Sequence, residues 1–342
     1  MASLIPLDIL DSILDRTSNA DLASFCRTSK SLYPHAKNAL FRHLHLNGRN
    51  VLKACFALGK DPELAARVNS FILVSNTDVS LALGTIQYTL SLVPQLRTLI
   101  LRIGTHGSWI LPQDNTSPFQ LKTFRCGFGP QKEVFNFLVG QPGLRYLSLN
   151  YLDHDIPSPT LEVLPQLVAI AAPLSAVQKF VPGRPIRDVT IYEDNTECNK
   201  DILECLTHST AKMGVQRLLS TPEHLFYVGG KRLASLCPNL THLTSHALNL
   251  NPNNDAEVLL PNWMEDVLSH QRSLHFFKIV FDPRMSSARC KDIDFSDFVT
   301  LAFEASASLQ YIIVAFLHLQ ARYTCKRIPG QDWFLCDDFE AF

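Results

Sequence analysis

Few residues of this chain have the types and spacing that catalysis requires. The segment 104–109, Gly-Thr-His-Gly-Ser-Trp, brings a serine close to a histidine, but the G-x-S-x-G pattern of a nucleophile elbow is missing around Ser108. A hydrolase would need a histidine and an acid to converge on Ser108, and it stays a remote alternative. The segment 229–231, Gly-Gly-Lys, lacks the first half of a phosphate-binding P-loop. We therefore predict no catalytic residues and a protein that is not an enzyme.

Residues that could bind a metal are equally dispersed. The nine cysteines include no C-x-x-C pair, whereas metal sites usually take ligands from such tight pairs. The acids and histidine at 153–155 are consecutive, so their side chains diverge. His242 and His246 lie on an expected strand, where this spacing places them on one face without making them adjacent ligands. We predict no metal, no cofactor, and free thiols in a reducing compartment.

The composition is that of a packed globular protein. Of 342 residues, 46% are apolar and 18% are charged, and the formal net charge is −1. Such a balance creates no overall field that would attract nucleic acid or an anionic membrane. The start lacks a basic signal-peptide region, and the longest apolar run, 309–319, is shorter than the ~20 residues that span a bilayer. We expect a soluble protein that is cytoplasmic, nuclear or both, with no nucleic acid and no membrane as partner.

Three short amphipathic helices are predicted within the first 46 residues. The apolar residues of segment 7–14 recur at helical spacing after Pro6, which is tolerated at the start of a helix. The polar segment 17–19 ends this helix and offers caps for a second one, and a third is expected from 31 to about 44. A bundle this small buries little surface and would be marginally stable alone, so it needs another domain or a partner.

The order of these residues resembles an F-box. The resemblance rests on Ile5-Pro6-Leu7-Asp8-Ile9-Leu10, then Ile13-Leu14, Asp21-Leu22 and, at the end of the third helix, Leu40-Phe41. It implies a substrate receptor of an SCF-type ubiquitin ligase, in which the F-box binds a Skp-type adaptor. The alternative is that the same apolar residues pack against the rest of the chain. By position, the residues that the resemblance assigns to the adaptor are Ile5, Pro6, Leu10, Ile13, Leu14 and Leu22.

One pattern recurs through the rest of the chain, namely apolar-x-x-apolar-x-apolar. Successive instances start between 19 residues (167 to 186) and 35 residues (274 to 309) apart, near the period of about 20–29 residues of leucine-rich repeats. One such unit cannot bury its apolar face alone, whereas a stack of units can. The instances are Val68/Phe71/Leu73, Leu96/Leu99/Leu101, Leu121/Phe124/Cys126, Leu144/Leu147/Leu149, Leu167/Ile170/Ala172, Ile186/Val189/Ile191, Val215/Leu218/Ser220, Leu240/Leu243/Ser245, Leu274/Phe277/Ile279 and Leu309/Ile312/Val314.

The segments between these frames carry helical apolar spacing, so strand and helix should alternate. We predict an α/β fold: a horseshoe-shaped leucine-rich-repeat solenoid preceded by a small three-helix F-box. The predicted domains are an F-box-like module at 1–46, a helical linker at 47–66, the irregular solenoid at 67–320, and a C-terminal cap at 321–342 with a closing strand pair. The predicted helices span 81–93, 131–140, 199–212, 223–237, 263–270 and 295–307.

In a solenoid the strands line the concave side, and residues that alternate with the buried ones point outward. We predict that this face binds a target protein, because arginine and tyrosine suit protein recognition and clustered arginines suit acidic or phosphorylated segments. The alternatives are a solvated face without a dominant target and a repeat scaffold without a ligase role. The predicted face carries Ile72, Arg102, Arg125, Tyr146, Tyr192, Arg217, His242, His246, Lys278 and Tyr311, with Asp188 as the main opposing charge.

Overall fold

The chain begins with helices and then alternates short strands with helices, which confirms the predicted α/β class and the helical N-terminus. The structure is a computed structural model, and it describes residues 6–113, 117–129, 132–150, 158–192, 201–248, 262–281, 296–316, 321–327 and 333–336. The chain divides into two compact units, residues 1–166 and residues 167–342. Within the described ranges, every helix is too short or too polar to cross a membrane.

The first unit opens with the three predicted helices, α1 (Leu7–Leu14), α2 (Asn19–Thr28) and α3 (Tyr33–Arg42). Ser18 caps α2, because its hydroxyl oxygen accepts a hydrogen bond from the backbone N–H of Asp21. The third helix packs on the other two. These three helices are called the helical module below.

The predicted extension of the third helix to about residue 44 is wrong, because the chain changes to a strand at His43. This strand, β1 (His43–Leu46), alternates exposed histidines with buried leucines. Such a period of two is typical of a strand with one buried face. The alternation is visible in the sequence His-Leu-His-Leu, but it is short and directly follows the apolar stripe of the third helix.

The described strands of the first unit are parallel, and each pairs with the next along the chain. Their register aligns the buried side chains across the strands, as for Leu73, Leu101 and Cys126 on three successive strands. The buried faces therefore build one continuous core. The strands are β1, β2 (Ser70–Val74), β3 (Thr98–Arg102), β4 (Thr123–Cys126) and β5 (Tyr146–Leu149).

Helices connect these strands, and they include two in the segment 47–66 that was predicted as a helical linker. The first of these two helices, Val51–Lys60, packs on the second, Pro62–Ala65. Short 3₁₀ helices occur at Ser80–Ala82 and Ser108–Ile110. The helices are α4 (Val51–Lys60), α5 (Pro62–Ala65), α6 (Leu83–Ser91) and α7 (Lys132–Val139).

The second unit repeats this arrangement and ends differently. Its described strands from 169 to 316 are parallel neighbours in chain order. Two antiparallel strands follow, as the pattern of the C-terminal segment predicted. The strands are β6 (Ala169–Pro173), β7 (Asp188–Tyr192), β8 (Arg217–Ser220), β9 (His242–Leu248), β10 (Phe276–Phe281), β11 (Tyr311–Phe316), β12 (Ala321–Arg327) and β13 (Trp333–Cys336).

Two of the helices predicted for the second unit need correction. In the described part of 199–212, only a 3₁₀ helix at Glu204–His208 is present. The segment 223–237 forms two helices, because Gly229 adopts a φ of +72° and so ends the first helix. The helices are α8 (Leu174–Phe180), α9 (Pro222–Val228), α10 (Gly230–Leu236), α11 (Asn262–His270) and α12 (Ser296–Ala305).

The recurring apolar frame coincides with the strands. Every residue of the ten predicted frames is buried, and each frame contributes the core-facing side chains of one of the strands β2 to β11. The buried residues include Ser220 and Ser245, which occupy the last frame position of their strands. The frame therefore predicted both the position of the strands and the face that they bury.

A backbone hydrogen-bond pattern also recurs where the strands begin. The carbonyl of the residue before one strand accepts two N–H groups, from the residue before the next strand and from the first residue of that strand. For example, the carbonyl of Asn69 accepts from Arg97 and Thr98. The same geometry at successive units indicates that they are structurally equivalent. The acceptors are Asn69, Arg97, Lys122, Val168, Arg187, Gln216, Thr241 and His275.

Candidate functional site

The helical module has a small apolar core of its own. Leu14 and Leu22 are 2% and 3% exposed and pack with Ala36 and Ala39. Leu10 is half-buried against this cluster. Two of the six residues assigned to the adaptor are thus inside the free module, and their predicted contact with a partner stays a prediction.

The opposite side of α1 exposes apolar side chains. Ile9 and Ile13 are each 49% exposed, and Pro6 at the start of the helix is exposed as well. Because Ile9 and Ile13 are four residues apart, they lie on one side of the helix. Ile9 was not among the predicted site residues, although its spacing from Ile13 could have indicated it. Ile5 lies outside the described residues.

The strand side chains that alternate with the buried frame residues form the open face of each unit. In the first unit, this face carries the predicted residues Ile72, Arg102, Arg125 and Tyr146, all partly or fully exposed. Ile72 and Arg125 lie in one row, on either side of Ile100 on β3. The Nε atom of Arg125 is buried and has no hydrogen-bond partner among the described residues.

In the second unit, the open face carries a row of polar and aromatic side chains. The strand register places Asp188, Arg217, His242, Phe276 and Tyr311 next to one another on β7 to β11. Nε of Arg217 lies 3.7 Å from Oδ1 of Asp188, so the opposing charge predicted at Asp188 is paired with this arginine. The rings of His242 and Phe276 are 5.2 Å apart between centroids. Tyr192 belongs to the same unit, on β7, and is half-buried.

The predicted face includes two arginines and two histidines whose positions the strands define. Arg125 lies on β4 of the first unit and Arg217 on β8 of the second. His242 and His246 both lie on β9 and are both partly exposed. Burial, followed by the positive charge of Arg217, lowers the pKa of His242, and burial also lowers the pKa of His246.

The segment around Ser108 does not have the arrangement that a hydrolase needs. Ser108 is 1% exposed, and its hydroxyl donates a hydrogen bond of 3.3 Å to the carboxylate of Glu133. His106 is exposed and makes no contact with this hydroxyl in the described part of the chain. The segment 153–155 lies outside the described residues.

The cysteines and the potential metal ligands have surroundings that suit structural residues. Burial raises the pKa of Cys126 and of Cys237 to about 12, so both thiols stay protonated and unreactive at neutral pH. Within the described ranges, no three His, Cys, Asp or Glu side chains form a group that could hold a metal ion. The surfaces of the module and of the strands are therefore the strongest candidate sites.

A comparison with protein families identifies the module. Residues 3–44 match the family model of the F-box domain. This confirms the predicted F-box and supports a role in binding the adaptor of an SCF-type ubiquitin ligase. No curated protein matches the chain significantly.

Proposed function

We propose that the protein is a non-catalytic substrate-recognition subunit of an SCF-type ubiquitin ligase. Its F-box would bind a Skp-type adaptor, and its open strand face would bind a target protein. The observation that carries the proposal is the F-box match at residues 3–44, on a module whose first helix exposes Ile9 and Ile13. Such a protein acts in the cytoplasm, the nucleus or both.

The proposed adaptor surface consists of Pro6, Ile9 and Ile13, flanked by Leu10, and Ile5 is assigned to the adaptor by the resemblance alone. Exposed branched side chains on one side of a helix gain free energy when a partner buries them. Leu14 and Leu22 support this surface from behind, because they hold α1 on the other helices. Of the six residues that the resemblance assigns to the adaptor, Leu14 and Leu22 would therefore support the surface, and the others would contact the adaptor.

We infer that the strand and helix units form a leucine-rich-repeat solenoid. Three observations support it. Each frame coincides with a strand, and the described strand pairs from β1 to β5 and from β6 to β11 are parallel. At eight strands, the carbonyl of the preceding residue accepts two N–H groups from the start of the following strand. A stack of equivalent units presents a long row of alternating side chains, which suits the binding of an extended protein segment. The antiparallel pair β12 and β13 would cap the last unit.

The mechanism of such a receptor is proximity. A target held on the strand face would have its lysines close to the conjugating enzyme carried by the same complex. Tethering raises the effective concentration of the reacting groups, so no residue of this chain needs to carry out covalent chemistry. Arg102, Arg125, Tyr146, Tyr192, Arg217, His242, Lys278 and Tyr311 are the proposed target-binding residues.

The adaptor interaction can be tested with the purified full-length chain and a Skp-type adaptor. Ile9→Asp and Ile13→Asp should each weaken adaptor capture by about tenfold or more, because each places a carboxylate in a buried apolar contact. Val139→Asp is the matched control, since Val139 is an apolar helical residue with a similar exposure of 41% in the same unit. Circular dichroism should give the same helix content for all three variants.

The result also separates the proposal from its alternatives. If the wild-type chain captures no adaptor although the module is folded, the ligase role is wrong and a repeat scaffold without ligase function becomes the better interpretation. If Ile9→Asp, Ile13→Asp and Val139→Asp all capture the adaptor as the wild type does, the proposed surface is wrong even though the function stands.

A further inference from the structure

One row of residues crosses the first unit at the edge where its parallel strands begin. It consists of the residue that precedes each of the strands β1 to β5. The N–H of each residue donates to the carbonyl of the preceding member of the row, at distances from 2.7 to 2.9 Å. Neighbouring members are therefore held about 4.8 Å apart, the distance between adjacent strands. The row is Arg42, Asn69, Arg97, Lys122 and Arg145.

This row is called the basic edge below, because four of its five members are arginine or lysine. Arg97, Lys122 and Arg145 are exposed. Among the described residues, no carboxylate lies within ion-pair distance of these three side chains. Arg42 differs, since its guanidinium already contacts the carboxylate of Asp15. The unbalanced charge is therefore concentrated at the start of the three consecutive strands β3, β4 and β5.

Two of these side chains reach toward the next strand along the row. Nη1 of Arg97 donates a hydrogen bond of 3.0 Å to the carbonyl of Gln120, two residues before Lys122. Nζ of Lys122 lies beside Gly143, two residues before Arg145, where an added β-carbon would be 3.5 Å from this nitrogen. A guanidinium has five N–H donors, so a single hydrogen bond leaves Arg97 able to bind a carboxylate.

A groove of about 520 Å³ lies at the start of the basic edge. Its lining includes Arg42 and Asn69 of the row, together with Arg67, Gln95 and Glu63. Two guanidinium groups and two amides outnumber the single carboxylate, so the groove favours a ligand that accepts hydrogen bonds. The basic edge therefore continues toward the F-box helix α3, which ends at Arg42.

The equivalent row of the second unit shows that the backbone pattern does not require positive charge. The same N–H to carbonyl hydrogen bonds join its members, but it contains a single arginine. The cations of the basic edge are therefore a property of the first unit. The row of the second unit is Val168, Arg187, Gln216, Thr241, His275 and Gln310.

The spacing of the basic edge matches the spacing of side chains along an α-helix. Residues three or four apart on a helix are about 5–6 Å apart, and seven residues advance by about 10 Å. The row from Arg97 through Lys122 to Arg145 covers two strand intervals, which is also about 10 Å. In an extended chain, side chains on one side recur at about 6.6 Å, so the mismatch grows along the row. A helix laid along the row could therefore present one carboxylate to each cation.

We propose that the basic edge is a docking surface for an acidic α-helix of a protein partner, with carboxylates opposite Arg97, Lys122 and Arg145. Single exposed ion pairs are weak, so the surface acts through several charges that are engaged together. It is separate from the proposed adaptor surface on α1 and from the open strand face. The inference therefore goes beyond the proposed function and does not depend on it.

Three labelled peptides test the proposal. The first is an alanine-rich helix with glutamates at positions i, i+4, i+7 and i+11, and the second has glutamine at these positions. The third carries four glutamates in a proline-containing extended chain. Binding to the full-length chain is measured by fluorescence anisotropy. We expect the glutamate helix to bind saturably and more weakly as salt is raised, and the other two peptides to bind at least about tenfold more weakly.

Charge-reversal variants locate the binding site. Lys122→Glu and Arg145→Glu should each weaken binding of the glutamate helix by about tenfold or more. Lys122→Gln should weaken it less, because it removes a charge without reversing it. Lys53→Glu on α4 is the matched control, since it makes the same charge change at an exposed position of the same unit outside the row. Circular dichroism and thermal unfolding establish that the variants are folded.

Three results would overturn the proposal. One is the absence of saturable binding of the glutamate helix to the folded wild-type chain, and another is an equal loss of affinity in Lys122→Glu and Lys53→Glu. The third is equal affinity for the extended and the helical glutamate peptides, because the spacing then selects no helix. Adaptor capture by the same samples is measured in parallel. If it persists while peptide binding is absent, the inference about the basic edge has failed and the proposed ligase function has not.

Discussion

Nζ of Lys37 lies 2.8 Å from Oδ2 of Asp61, and this ion pair joins the third helix of the F-box domain to the helix α5 before strand β2. Asp61 has a second role, because its Oδ1 accepts a hydrogen bond from the backbone N–H of Leu64 and so caps α5. At the end of the same helix, the guanidinium of Arg42 contacts the carboxylate of Asp15 and ties α3 to the end of α1. The F-box is thus attached to the first strands by side chains as well as by the chain itself.

The first prediction concerns pH. The hydrogen bond from Lys37, followed by that from Leu64, holds the pKa of Asp61 below its usual range, and the same ion pair raises the pKa of Lys37. The contribution of Asp61 is therefore complete above the ordinary carboxyl pKa and is lost as the pH falls through the lowered value in the folded protein. The contribution of Lys37 is lost as the pH rises through its raised value.

Asp61→Asn tests this dependence, since asparagine keeps a capping oxygen and removes the charge. The urea midpoint of the variant should lie below that of the wild type at neutral pH, and the difference should vanish in acid, where Asp61 is protonated in both states. Asp61→Ala should lose more at neutral pH, because it also removes the cap. A midpoint difference that does not change between neutral and acidic pH would contradict the ion pair as its cause.

The second prediction separates the core of the F-box from its surface. Leu14→Ala and Leu22→Ala each leave a cavity in a small core and should cost about 2–4 kcal/mol of stability. Ile13→Ala removes a half-exposed side chain and should change stability by less than ~0.5 kcal/mol. Thermal unfolding and adaptor capture, measured on the same samples, distinguish the two classes. Loss of adaptor capture without loss of stability in Leu14→Ala would place Leu14 at the partner surface instead.

The sequence predicted the strands better than the surfaces. Frame residues such as Leu99 and Leu101 alternate at the period of a strand, so local spacing alone indicated the buried face. The break at Gly229 was missed, although the pair Gly229-Gly230 is a local signal for it. What no local pattern shows is the approach of Gly230 to the backbone of Asp266, which is distant in sequence. A β-carbon at Gly230 would overlap the carbonyl group of Asp266.

The functional surfaces depend on similar long-range placement. The apolar stripe of α1 includes both Ile13 and Leu14, and only the position of the other helices decides which of the two is buried. The row that joins Lys278 to Thr324 through Ile313 arises from the antiparallel pairing of β11 with β12, which no local pattern fixes in register. Local periodicity therefore predicts the strands and helices, whereas tertiary contacts determine which of their residues are exposed at a candidate site.

The third prediction compares two buried glutamines at equivalent turns. The Oε1 of Gln141 accepts a hydrogen bond of 2.8 Å from the buried N–H of Leu121. In the part of the chain that the structure describes, neither side-chain polar atom of Gln271 has a hydrogen-bond partner. Gln141→Leu should cost about 1–3 kcal/mol, because it leaves the N–H of Leu121 unsatisfied. Gln271→Leu should be neutral or stabilise by up to about 2 kcal/mol, because it removes an unpaired buried amide.

Urea unfolding of the two variants measures this difference directly. The substitutions are chemically identical and both positions are almost completely buried, so each variant serves as the control for the other. Equal destabilisation of the two would mean that side-chain volume, and not hydrogen bonding, determines the effect.

The fourth prediction concerns the end of the second unit. The guanidinium of Arg327 on β12 donates hydrogen bonds to the carbonyls of Phe303, Ser306, Ala307 and Leu309, at distances from 2.6 to 3.2 Å. These carbonyls lie at and just after the C-terminus of α12, where a helix leaves its acceptors unpaired and favours a positive charge. Arg327 thus satisfies acceptors at the end of α12.

Arg327→Met should destabilise the second unit by about 2–4 kcal/mol, because several carbonyls lose charge-assisted hydrogen bonds at once. Arg327→Lys should recover only part of this loss, since an ammonium keeps the charge but lacks the planar fork that reaches several acceptors. Lys326→Met is the control on the same strand. Among the described residues this cation contacts the Tyr311 ring, and its loss should cost about 1 kcal/mol or less. Amide hydrogen exchange of α12 and β11 should increase in Arg327→Met and stay unchanged in Lys326→Met. Equal exchange in the two variants would contradict the capping role of Arg327.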